Sequence, residues 1–237
     1  MMEPEATLTR AGWRAPRAGA VAGIVFAVLL VTSLALIRSS VPHEPRDAGA
    51  WLSGNWQTVN LALNLLPFAG IAFLWFIGVL RDRMGASEDR FFATVFLGSG
   101  LLFLAMMFTA AALAGGLIML YGAAPGRLPD AGLYAFGRLA AYHVVNVYAL
   151  KMAGVFMITT CTLAIRLGLF PRWIAVLGYA LALLLLLSVG YLYWAPLVFP
   201  LWVLLVSVWI LFSNLRPAPL TDGRSAPGNA PGGVDRA

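Results

Sequence analysis

Long apolar runs separated by short polar segments set the organisation of the chain, at residues 18–37, 56–80, 91–120, 140–165, 173–194 and 197–214. A bilayer core about 30 Å thick is crossed by roughly 20 helical residues, and each run is close to that length or longer. Inside lipid a backbone must satisfy its own polar groups, which makes each separate run a helix. The expected fold is all-α: a polytopic membrane protein in which residues 18–214 form a six-helix transmembrane bundle with short loops. The third run exceeds the hydrocarbon thickness and is expected to tilt or to project beyond it. Residues 1–17 form a polar tail; residues 215–237, rich in Pro, Gly and Ser and without periodicity, are expected to be disordered.

A positive start followed by an apolar run also describes a signal peptide. Here the run is longer than a typical signal core, and RSSVP at 38–42 offers no small-x-small cleavage site, so a retained first helix is expected. Within the runs, Gly19 and Gly23 form a GxxxG pair, and Ala111 with Gly115 and Ala112 with Gly116 form a second small-residue stripe. Both patterns invite close helix approach. Pro67 is expected to bend the second helix, and Pro196 and Pro200 suit the first turn of the last one. Orientation follows from arginine placement. With the N-terminus inside, Arg10, Arg14, Arg17, Arg81, Arg83, Arg90, Arg166, Arg172 and Arg216 lie at inner ends, against Arg38, Arg46, Arg127 and Arg138 at outer ones. That asymmetry places both termini in the cytoplasm.

Composition sharpens this picture in two places. The 237 residues are 61% hydrophobic and 11% charged, where soluble domains carry about 25% charge. The net charge of +6 comes from arginines in juxtamembrane turns, so it reads as orientation and contact with membrane lipids, not as a nucleic-acid footprint. Cys161 is the single cysteine, which rules out an internal disulfide; no Cys/His zinc spacing exists, and neither a metal nor a cofactor is expected.

The candidate chemistry lies in the fourth run, AAYHVVNVYALKMAGVFMITTCTLAI. It carries His143, Asn146 and Lys151, the only lysine in the chain. A charge near mid-span costs roughly 3 kcal/mol on insertion scales, so it must face the interior and find partners. At 100° per residue, His143 and Asn146 lie about 60° apart, and Lys151 about 80° from His143 on its other side. The second run places Asn60 and Asn64 on one face in its own outer half. If the two helices are neighbours, Asn60, Asn64, His143, Asn146 and Lys151 could surround one outward-facing polar cavity.

All ten Asp and Glu fall in tails or loops, so Lys151 has no carboxylate at its depth. Its ammonium must be held by amides and free carbonyls, lose its proton, or meet an anionic ligand. The expected function is to bind or pass a small anionic or lipidic molecule through that cavity. The alternative is a non-catalytic interaction or assembly protein whose buried polar groups only fix helix packing. No catalysis is expected, because no Ser-His-Asp set, HExxH, GxSxG or paired intramembrane carboxylate is present.

The charged turn GVLRDRMG after the second run and the junction IRLGLFPRWIAVLGY between the fourth and fifth resemble an uncharacterised group of bacterial, largely actinobacterial, integral membrane proteins. PRW-x-A-x-LGY is the most specific piece, and the resemblance covers about residues 17–214. It implies six helices in a bacterial inner membrane and carries no functional residue with it.

Overall fold

The structure, a computed structural model, describes residues 15–42, 49, 51–84, 90–123, 131–168, 171–188 and 193–213. Residues 1–14, the stretch 215–237 expected to be disordered, and the polar stretch 43–48 lie outside the described residues. The helices are α1 (Ala15–Ser40), α2 (Leu52–Met84), α3 (Arg90–Ala123), α4, α5 (Arg172–Leu187) and α6 (Ala195–Ser213). α4 runs as an α-helix over Ala131–His143, as a π-helix over Val144–Ala149 and as an α-helix again over Leu150–Leu167. No strand occurs among the described residues. Five of these helices are long and apolar enough to cross a membrane, and α5, with 16 residues, falls short. The architecture is that of a multi-pass helical membrane protein.

Several helices overrun the apolar runs that mark them. α4 begins at Ala131, well before residue 140, because Tyr134 and Gly137 turn inward and extend the buried face. Tyr134 accepts a hydrogen bond from Trp51 Nε1 at 2.7 Å, and Gly137 leaves room for Leu117. α5 stops seven residues short of the apolar run's end, at Leu187, where Ser188 turns to an extended conformation. α6 starts at Ala195, so Pro196 sits in its first turn but Pro200 lies deeper, leaving the Pro196 carbonyl without an α-helical donor.

α1 packs between α2 and α6, α3 between α2 and α4, and α4 between α3 and α5, with α6 also touching α4 and α5. The glycine pair on α1 serves both of its neighbours. A Cβ at Gly19 would lie 2.5 Å from Val79 of α2, and one at Gly23 would lie 2.0 Å from Ser207 Oγ of α6. The second stripe is not used this way: Gly116 has nothing described within 4 Å, and Gly115 only Leu63 at 4.0 Å.

Phenylalanines from five helices close the axis. Phe73 of α2 is the hub, with ring centroids 4.6 Å from Phe26 of α1, 5.6 Å from Phe103 of α3, 5.3 Å from Phe156 of α4 and 5.6 Å from Phe199 of α6. All five are buried. Aromatic pairs in such tilted and edge-on geometries add about 0.5–1.5 kcal/mol each beyond their burial.

This layer also fixes depth. Arg81, Arg166 and Arg172 mark one end of the bundle. From Arg166, Phe156 lies about 15 Å up α4 and Lys151 about 22 Å, at 1.5 Å per residue. In a hydrocarbon layer about 30 Å thick that begins at these arginines, the phenylalanines sit near the middle and Lys151 in the half farther from them. The far ends of α2, α3 and α4 share a small core of their own: Leu52, Val59, Leu117, Ile118, Tyr121 and Tyr134.

Candidate functional site

Lys151 finds its partners at the end of α5. Its Nζ donates to the Leu186 carbonyl at 3.0 Å and stands 3.5 Å from the Ser188 carbonyl. The last carbonyls of any helix have no intrahelical donor, and the aligned peptide dipoles leave about half a negative charge there. A helix that ends within the membrane needs those carbonyls satisfied by protein. The ammonium does this, while the helix end supplies negative potential that no carboxylate provides. Among the described residues Asp82 is the only acid, and it lies at the opposite end of the bundle.

The connection leaving α5 is held from its other side as well. Arg38, near the end of α1, donates through Nη2 to the Tyr193 carbonyl at 2.6 Å. Its guanidinium lies 4.6 Å over the Tyr193 ring. Arg38 Nη1 is enclosed and donates to nothing among the described residues. Arg38 was not among the candidates, because in sequence it reads as an ordinary juxtamembrane arginine. Its signal was present but weak: it is the last charge of α1 and faces the break that ends α5.

The π-helix changes the face drawn on α4. Its wider turn rotates each residue by less than the ~100° of an α-helix. The Leu150 N–H donates five residues back to the Val145 carbonyl. His143 and Tyr148, also five apart, stack edge to face at 5.7 Å, and both are exposed. Asn146 turns inward, 7% exposed, and its Nδ2 donates to the Tyr142 carbonyl at 2.9 Å. His143 and Asn146 therefore do not share a buried face. His143 stands about 34 Å up α4 from Arg166, farther than a hydrocarbon layer of about 30 Å reaches from that end.

The α2 amides are satisfied within their own helix. Asn64 Nδ2 donates to the Asn60 carbonyl at 2.8 Å and lies 3.4 Å from Asn60 Oδ1. Asn64 is exposed and Asn60 partly so. Around them α2 faces α1 and α3: Ser33 of α1 bonds the Ala62 carbonyl at 2.7 Å, and Leu63 reaches Gly115 of α3. α2 and α4 meet through Phe73 and Phe156, deeper than these amides. The structure thus pairs Asn60 with Asn64, and Lys151 with the end of α5, in separate places.

The PRW-x-A-x-LGY element packs α5 against α4 and α6. Pro171 precedes the first turn of α5, Trp173 stacks edge to face on Trp209 at 6.1 Å, and Ala175 is fully buried. A Cβ at Gly178 would lie 2.3 Å from Cys161 Sγ and 2.8 Å from Trp202 Nε1. The Tyr179 hydroxyl is 2.7 Å from Thr162 Oγ1. Trp173, Ala175, Gly178 and Tyr179 each have a packing reason. Comparison with protein-family models, with curated proteins and with solved structures finds no match for this chain.

Proposed function

We infer that this is a non-catalytic interaction or assembly protein of a bacterial inner membrane, crossing six times with both termini in the cytoplasm. The arginine asymmetry and the resemblance to the uncharacterised bacterial group support that placement. The short α5 stands for the fifth crossing. The phenylalanine layer across the axis speaks against a conduit, and Asn146 and Lys151 are bonded within the bundle.

The observation that carries an interaction role is the height of the apolar surface on α3 and α4. Met119, Leu120 and Phe136 are 75%, 52% and 68% exposed. They lie about 43–45 Å from Arg90 or Arg166 along their helices, some 13 Å beyond the hydrocarbon. A tilt of about 20° lowers them by only about 3 Å. Exposed apolar side chains carried beyond the hydrocarbon mark a protein contact.

The test uses the full chain. A photo-crosslinker placed at Phe136 is expected to give a discrete protein adduct in native membranes, and one at Val176 only lipid adducts. Vesicles carrying the protein should be as tight to chloride and phosphate as empty ones. Flux above empty vesicles, or lipid adducts alone at Phe136, would refute this reading. A second reading, binding of an anionic or lipidic molecule, is favoured by Lys151 and Arg38, whose hydrogen bonds among the described residues go to carbonyls.

A further inference from the structure

We propose that a second copy of this chain docks on the outward face of α3, its own α3 lying in the groove between α3 and α4. This rests on the interaction reading above and names the partner.

Two contacts fix which way this face looks. Phe96 stacks on Phe156, and a Cβ at Gly137 would lie 3.0 Å from Leu117, so α3 and α4 run antiparallel and meet at these residues. On a wheel, Leu102, Thr109 and Gly116 lie about 60–100° to one side of Leu117. Leu133 and Phe136 lie about 40° and 100° to one side of Gly137, and in an antiparallel pair these two sides look the same way. All five are exposed, whereas Ile118, Tyr121 and Tyr134, turned to the other side, are buried.

The face suits a helix. Leu102, Thr109 and Gly116 repeat every seven residues, and so do Ala105, Ala112 and Met119 beside them. Two such ladders form the seam of a left-handed crossing of about 20°. Small side chains let a backbone come close, and Gly116 has nothing described within 4 Å. Within the hydrocarbon, lipid can cover such a stripe. Beyond it lipid cannot, and Met119, Leu120 and Phe136 carry the apolar surface there.

A second copy covers that end. Copies inserted the same way round pair about a two-fold axis along the membrane normal, which sets each residue at its own height in the partner. The raised apolar end of one copy therefore meets that of the other. Residues beside the axis meet themselves, so a charge there would face a like charge; α3 carries none from Phe91 to Ala123. Arg138 of α4 turns to the other side and donates to the Pro42 carbonyl. The area is sufficient as well. From Leu102 to Ala123 the strip is about 32 Å by 10 Å, roughly 300 Å², and Leu133 with Phe136 adds about 200 Å². Two copies bury about 1,000 Å², the size at which a specific interface begins.

The test is cysteine cross-linking of the full chain in native membranes under mild oxidation. Cys161 is fully buried, so the wild type gives the background. Leu102→Cys and Thr109→Cys, on the side of α3 nearest the axis, should each give a disulfide-linked dimer. Leu183→Cys, exposed on α5 about as far from Arg172 as Leu102 is from Arg90, should stay at background. Gly116→Leu should lower the dimer fraction about tenfold with helix content unchanged, because its side chain blocks the seam and meets nothing described in its own chain. Should that variant misfold, Ala112→Leu, also exposed, carries the same test.

Disulfides no stronger than at Leu183→Cys, or a dimer indifferent to the added leucine, overturn the proposal. The photo-crosslinker at Phe136 separates it from the reading it rests on. An adduct of twice the chain's mass supports the second copy. A discrete adduct with another protein overturns it and leaves the interaction reading standing, and lipid adducts alone refute both.

Discussion

Lys151→Met removes the ammonium and keeps most of the side-chain volume, so it isolates what the charge does at the end of α5. The bond to the Leu186 carbonyl at 3.0 Å is charge-assisted, a class worth about 1.5–3 kcal/mol. The Ser188 carbonyl, at 3.5 Å, is at the limit of a hydrogen bond and adds little. The favourable placement at a helix C-terminus contributes up to about 2 kcal/mol in a partly buried setting. Against this stands the cost of a charge at depth, roughly 3 kcal/mol at mid-membrane. That cost is smaller here, because the lysine lies off the midplane, and the unfolded but inserted chain bears part of it too. The expected balance is a loss of about 2 kcal/mol, a 30-fold fall in the ratio of folded to unfolded protein. The assay is unfolding in mixed detergent micelles, with hydrogen exchange followed at the amides flanking Leu187 and Ala195. Faster exchange should be confined to that connection, and Lys151→Arg should stay close to wild type. A Lys151→Met variant as stable as wild type, with unchanged exchange, would refute the reasoning. It would show that the carbonyls do not need the ammonium and that the lysine is kept for a ligand alone.

Gly23→Ala places a methyl 2.0 Å from Ser207 Oγ and 2.8 Å from Phe76, and should cost about 1–3 kcal/mol by overpacking in the same unfolding assay. Gly178→Ala should behave similarly, with Cys161→Ala partly restoring stability because it removes the nearer of the two clashing atoms. Phe73→Ala empties the hub of the aromatic layer and should cost about 3–5 kcal/mol; a loss under about 1 kcal/mol would mean that the axis is not packed as described. Asn64→Leu should lie within about 0.5 kcal/mol of wild type, since the amide is exposed and bonded only within its own helix.

The helical, membrane-spanning class was legible from the apolar runs alone, because a backbone in lipid has few ways to satisfy itself. The Gly19 and Gly23 pair was legible as a contact but not as a shared one: only the packed bundle shows α2 and α6 both using it. The second small-residue stripe had the same signature and no such neighbour. The start of α4 was hidden because hydropathy records apolarity, whereas Tyr134 and Gly137 are placed by what they touch, namely Trp51 and Leu117.

For the polar residues, sequence established that one lysine lay at membrane depth with no acid beside it. It could not say which free carbonyls would answer it. A constant-pitch wheel also could not anticipate the π-helix at Val144–Ala149, which turns Asn146 inward and leaves His143 out. The length and apolarity of the runs therefore determined the kind of element, a local property of each run. Which helix ends early, and which cation meets that end, was decided by tertiary packing, because the answer belongs to α1, α4 and α5 jointly.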